Sequence, residues 1–111
     1  MARVIAQGDI DSAKAARSDR SYVVLTPDDG EGDEFLFAVP KIAEYTKFRT
    51  MVLDEEAKSG ALRILVDSCA VVPTPAEFAL ITNDHPGYIE SFGNQLLKLA
   101  GAGVNVRVKK V

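Results

Sequence analysis

The densest group of reactive side chains in the sequence is a set of carboxylates within residues 28–34, at Asp28, Asp29, Glu31, Asp33 and Glu34. Calcium takes roughly six to eight oxygen ligands, so this segment is a candidate site for that ion. Its spacing does not match an EF-hand loop, in which alternating acids precede a central glycine and a bidentate glutamate ends the loop. We therefore interpret the segment as a solvated hairpin tip that limits edge aggregation, and we expect no metal.

The single histidine and the single cysteine are the other candidates for chemistry. His85 follows an aspartate that could pair with it as a base, but no motif places a serine or cysteine nucleophile nearby. Cys69 shares an apolar helical stripe with Leu65, which is typical of a small core residue. The sequence also has no phosphate-binding loop and no dinucleotide fingerprint. We predict a protein that is not an enzyme, with no catalytic residue and no cofactor.

Composition sets further limits on the class of protein. The 111 residues suit one domain, and one cysteine can form no internal disulfide. The net charge is −3, and no segment has the dense basic stripe that nucleic-acid binding requires. No apolar run approaches the roughly 20 residues of a membrane helix, and the first residues lack the apolar core of a signal peptide. We expect a cytoplasmic protein without nucleic-acid or membrane partners.

A β-hairpin is predicted at residues 21–39. The stretch 21–26 is β-branched and aromatic, and 34–39 repeats that character before Pro40. Between them lies the acidic loop with its two glycines. Such a hairpin is not stable alone, so other elements must cover it.

Helices are predicted over residues 41–100. One follows Pro40, a second runs from about 57 to 72, and a third begins at Thr74, where Pro75 fits the first helical position and Glu77 completes a capping box. The last ends at Gly101, and Gly93 within it indicates close packing. The predicted core comprises Phe35, Phe37, Phe48, Leu62, Leu65, Phe78, Phe92 and Leu96.

Both ends of the chain are predicted to lie outside the globular domain, which spans residues 21–101. Residues 1–20 are interpreted as a poorly anchored arm with a short helix. Residues 102–111 are a C-terminal tail or edge strand, since Val104, Val106 and Val108 alternate with polar residues. These valines and Val111 need a neighbour, either the chain's own hairpin or another chain, and are the candidate partner-binding residues. The predicted fold class is α+β: an N-terminal β-hairpin packed on three to four α-helices, with a possible short C-terminal strand.

Six short motifs follow one another in a fixed order along about two-thirds of the chain. They are the strand 22–26, the aromatic strand 34–40, the helix start 43–49, the stretch 65–73 that ends in proline, the turn 85–87 and the closing 97–101. Their order and spacing resemble those of the tail assembly chaperones of long-tailed bacteriophages.

The resemblance implies a virus-encoded protein of the host cytoplasm that binds the tape-measure protein, recruits tail-tube subunits and self-associates. The competing hypothesis is a permanent component of the virion, such as a neck, tail or decoration protein. A third is a small regulatory or nucleic-acid-binding domain, which the sequence pI of about 5.1 disfavours.

Overall fold

The computed structural model describes residues 2–111 and confirms the α+β class. In chain order the elements are α1 (Gln7–Ala16), β1 (Tyr22–Leu25), β2 (Phe35–Ala38), α2 (Ile42–Val52), a 3₁₀ turn (Lys58–Gly60), α3 (Ala61–Cys69), β3 (Ala70–Val72), α4 (Pro75–Asp84) and α5 (Gly87–Leu99). The β-hairpin precedes the helices that cover one of its faces, as the periodicity predicts.

The hairpin forms the first two strands of an antiparallel sheet with the order β1-β2-β3. Tyr22 lies opposite Ala38, and Leu25 lies opposite Phe35. Gly30 and Gly32 in the connecting loop have φ angles of 83° and 76°, a region that glycine enters without the penalty of a Cβ atom. The loop therefore reverses the chain at the tip where the sequence predicts it.

The third strand was not predicted. The helix expected to run from about 57 to 72 ends at Cys69, and residues 70–72 pair with β2, where Val72 lies opposite Leu36. Ala70-Val71-Val72 ends in two β-branched residues, which favour a strand, and pairing with the open side of β2 satisfies its backbone groups. Tertiary pairing thus overrides the helical stripe in these three residues.

Every residue of β2 is buried, because the central strand is covered on both faces. On one face, Phe35 and Phe37 join Phe78 and Phe92 in the main core. On the other face, Leu36 packs in a smaller apolar cluster with residues from the N-terminal segment. A strand buried on both sides is a continuous apolar run rather than an alternating one, as in Phe35-Leu36-Phe37-Ala38.

The N-terminal segment is the second departure from prediction. Its short helix exists as α1, but the segment is not poorly anchored: Ile5 and Ala13 are buried against Leu36. The Tyr22 hydroxyl also donates hydrogen bonds to the carbonyls of Ala13 and Arg17, at 3.0 and 3.2 Å. Few apolar residues suffice here because the sheet offers an apolar face that must be covered.

The helices supply the rest of the core. Six of the eight predicted core residues are buried, while Phe48 and Leu62 are half-buried at its edge. A Cβ added to Gly93 would clash with the Leu62 side chain, which confirms close packing of α3 on α5 at that glycine. None of the helices within residues 2–111 has both the length and the apolar character needed to cross a membrane.

Candidate functional site

Cys69 lies in the main core and is almost completely buried. Burial raises the pKa of its thiol, so the thiolate that would act as a nucleophile is disfavoured. The structure therefore places this side chain where the sequence predicts it, as a small packing residue.

His85 lies on the surface at the end of α4, where its ring stacks on Tyr88 with centroids 4.7 Å apart. The Tyr88 hydroxyl in turn donates a hydrogen bond to the Asp29 carboxylate of the acidic loop. That bond, with a smaller contribution from burial, raises the pKa of Tyr88 to about 12. The same bond and the backbone N–H of Glu31 lower the pKa of Asp29. These contacts join the hairpin tip to the start of α5.

The acidic loop binds the N-terminal segment through two of its carboxylates. The Arg3 N–H donates to Asp33 Oδ1 at 2.7 Å, and the Ile5 N–H donates to Glu34 Oε1 at 2.7 Å. The Glu34 N–H returns a bond to the Arg3 carbonyl at 2.9 Å. Within residues 2–111 no three His, Cys, Asp or Glu side chains are arranged to hold a metal ion. Two of the carboxylates that were predicted to be solvated, Asp33 and Glu34, therefore fix the N-terminal segment by hydrogen bonds.

A buried ion pair provides a further attachment that the sequence did not reveal. The Arg20 guanidinium lies 2.6 Å from Glu44 Oε1 on α2 and donates to the Val39 carbonyl at 2.9 Å. Arg20 stands at the end of the predicted arm, and a lone arginine there gives no signal of burial. The pair connects the residue that follows the α1 segment to α2 and to the end of β2.

An open groove lies between α2 and α3, with a volume of about 250 Å³. Phe48, Met51 and Ile64 line it, and Glu44 and Lys47 are its charged residues. Apolar side chains form most of its lining, which suits an apolar contact.

The four predicted partner-binding valines all lie in the exposed C-terminal tail, residues 104–111. Val106 and Val108 are 84% and 79% exposed, and the tail forms no strand on its own hairpin, which was one of the two predicted arrangements. The Cα radius of gyration is 15.3 Å, above the ~13 Å of a compact chain of this length. The tail therefore extends from the domain with its apolar side chains in water.

The turn before the tail is well defined. Gly101 has a φ of 96°, its N–H donates to the Lys98 carbonyl, and the Ala102 N–H donates to the Leu97 carbonyl. These two bonds form a Schellman motif that closes α5. The tail thus begins at a fixed point on the domain.

Comparison with known proteins identifies the family. Residues 15–109 match DUF6848, described as a domain of unknown function, and the chain belongs to that family. The fold is similar to that of an uncharacterised protein, rbstp2171, from Bacillus stearothermophilus, with a TM-score of 0.67 and 20% sequence identity over 90% of this chain and 99% of that one. A search of curated proteins gave no match. At this identity the structural similarity concerns the fold alone.

Proposed function

We propose that this chain is a non-enzymatic tail assembly chaperone that binds a phage tape-measure protein and recruits tail-tube subunits in the host cytoplasm. The observation that carries the proposal is the tail, an extended segment whose valines are exposed on a well-packed domain. The resemblance of residues 22–101 to such chaperones supplies the identity of the partner.

The chemistry of the tail suits repeated, reversible contacts with a long protein. Val104, Val106 and Val108 would lie on one face of a strand, with Asn105 and Arg107 on the other. Adding such a strand to an exposed edge gains main-chain hydrogen bonds, and the valines contribute apolar burial. Main-chain bonds are largely independent of the partner's sequence, so one tail can bind at many places along a tape-measure protein.

Co-expression with the tape-measure protein of the same genome tests this proposal. We expect the full chain to co-purify with the tape-measure protein and a variant lacking residues 104–111 to lose it. Circular dichroism should show equal melting temperatures for the two, because the tail contributes nothing to either apolar cluster. A matched control replaces Arg107, Lys109 and Lys110 with glutamine and keeps every valine. It should still co-purify with the tape-measure protein, because the proposal assigns binding to the valines and the main chain of the tail.

Equal capture by the full and shortened chains, or capture by neither, would contradict the proposal. Detection of the protein at fixed copy number in purified virions would instead support the competing hypothesis of a permanent neck, tail or decoration component.

A further inference from the structure

The outer edge of β1 has no partner strand within residues 2–111, since β1 pairs with β2 alone. The Val39 N–H donates to the Ser21 carbonyl at 2.8 Å, which makes residues 21 and 39 a hydrogen-bonded pair. Such pairs alternate along an antiparallel ladder. The N–H and C=O groups of Tyr22 and Val24 therefore point away from β2, and the Val24 side chain is 40% exposed. This edge can accept one more strand.

A groove borders that edge on the face covered by α5. It has a volume of about 360 Å³ and is lined by Leu25, Thr26, Pro27, Asp28, Ser91, Phe92 and Gln95. A strand added beside β1 would direct every second side chain toward this groove. An alternating apolar sequence is therefore the kind of segment that fits.

Charge at one end of the edge defines the orientation of the added strand. Immediately after β1 come Asp28 and Glu31, both exposed. All the basic residues of the tail lie in its second half, with Arg107 near the middle and Lys109 and Lys110 at the end away from its first valine. A strand parallel to β1 places these lysines beside the acidic loop, whereas an antiparallel strand places them at the far end.

We propose that the β1 edge receives the tail of a second copy of this chain, running parallel to β1, with Lys109 and Lys110 at Asp28 and Glu31. The tail and the edge both occur in every copy, and in the isolated chain they remain unpaired. The inference shares with the proposed function only the use of the tail for association, and it needs no tape-measure protein.

A charge-reversal experiment tests both the pairing and its direction. The loop variant carries Asp28→Lys and Glu31→Lys, and the tail variant carries Lys109→Glu and Lys110→Glu. Within the described residues 2–111, neither pair of side chains forms a hydrogen bond or an ion pair. We expect each variant alone to self-associate at least about tenfold more weakly than the wild type, because positions 28, 31, 109 and 110 of that variant then all carry charge of one sign. An equimolar mixture should recover association, since positions 109 and 110 of each variant then meet positions 28 and 31 of opposite charge on the other.

Light scattering against concentration provides the readout, with association seen as a mass above the 12.0 kDa of one chain. The control Glu55→Lys with Glu56→Lys has the same change in net charge as the loop variant and should associate like the wild type. Val24→Pro removes an outward N–H while leaving the bonds to β2, and should also reduce association. If it fails to fold, the charge-reversed mixture still decides the question.

A wild type that stays monomeric, or a mixture that associates no better than its components, would overturn the inference. A monomeric wild type that still captures the tape-measure protein would overturn the inference and leave the proposed function standing. A chain that self-associates through the tail but does not capture the tape-measure protein would support the inference and contradict the proposed function.

Discussion

The two ends of the chain differ in how they contact the domain: the N-terminal segment packs on the sheet, and the C-terminal tail is exposed. Residues 3–5 lie along the start of β2, and α1 covers the outer face of the sheet. Residues 104–111 extend into solvent, although half of them are valines. Apolar content therefore does not decide which end is held. The N-terminal segment is held because two carboxylates, Asp33 and Glu34, accept its N–H groups beside an apolar face that needs a cover.

The largest expected difference between the two ends is the effect of removing an apolar side chain. Ile5→Ala should lower the free energy of unfolding by about 2–4 kcal/mol, because Ile5 is buried against Leu36. Val106→Ala should change it by less than about 0.5 kcal/mol, as expected for an exposed residue. Urea denaturation of both variants measures the difference. Equal losses would show that the two ends are held alike.

A smaller loss of stability is expected when one of the carboxylates that bind the N-terminal segment loses its charge. Glu34→Gln keeps an acceptor oxygen but removes its charge, and should cost about 1 kcal/mol because charge-assisted hydrogen bonds are stronger than neutral ones. Glu31→Gln is the matched control, since no hydrogen bond joins the Glu31 side chain to residues 2–20. Denaturation midpoints compare the pair, and an equal cost for the two would contradict the assignment.

The smallest effect concerns the other side of the acidic loop, where Asp29 and Tyr88 meet. The folded state lowers the pKa of Asp29, so its contribution to stability is present above its unfolded pKa and is lost as pH falls through the folded value. The pKa of Tyr88 is raised to about 12, so its contribution is present below about 10 and is lost as pH rises through 12. In Tyr88→Phe, the pKa of Asp29 measured by NMR should rise toward its ordinary value. An unchanged pKa would contradict the contact.

Local patterns in the sequence were sufficient for the elements that depend on their own residues. The hairpin lies where two β-branched and aromatic stretches flank a glycine-containing loop. The start of α4 uses Thr74 as its cap, with the Glu77 N–H donating to the Thr74 hydroxyl. Gly93 also predicted a close contact between helices. A glycine inside a helix lowers its stability, and here it leaves room for the Leu62 side chain.

The features that were missed depend on distant partners. Residues 70–72 leave the predicted helix because β2, more than 30 positions earlier, has an open side. Ile5 is buried because its N–H donates to Glu34 and its side chain packs against Leu36. No pattern within residues 1–20 predicts these contacts. The candidate site was predicted only in part for the same reason. The valines of the tail could be recognised from their alternation in the sequence, whereas the free edge of β1 became visible only once the strand order β1-β2-β3 was known.

Hydrogen exchange measured as a function of protein concentration tests the central claim most directly. The amides of Arg3 and Ile5 should be protected at every concentration, because they donate to Asp33 and Glu34. The amides of residues 104–111 should exchange freely in dilute solution, and as concentration rises every second one should become protected together with Tyr22 and Val24. A tail that is protected in the dilute monomer, or that remains unprotected while the chain associates, would contradict the account.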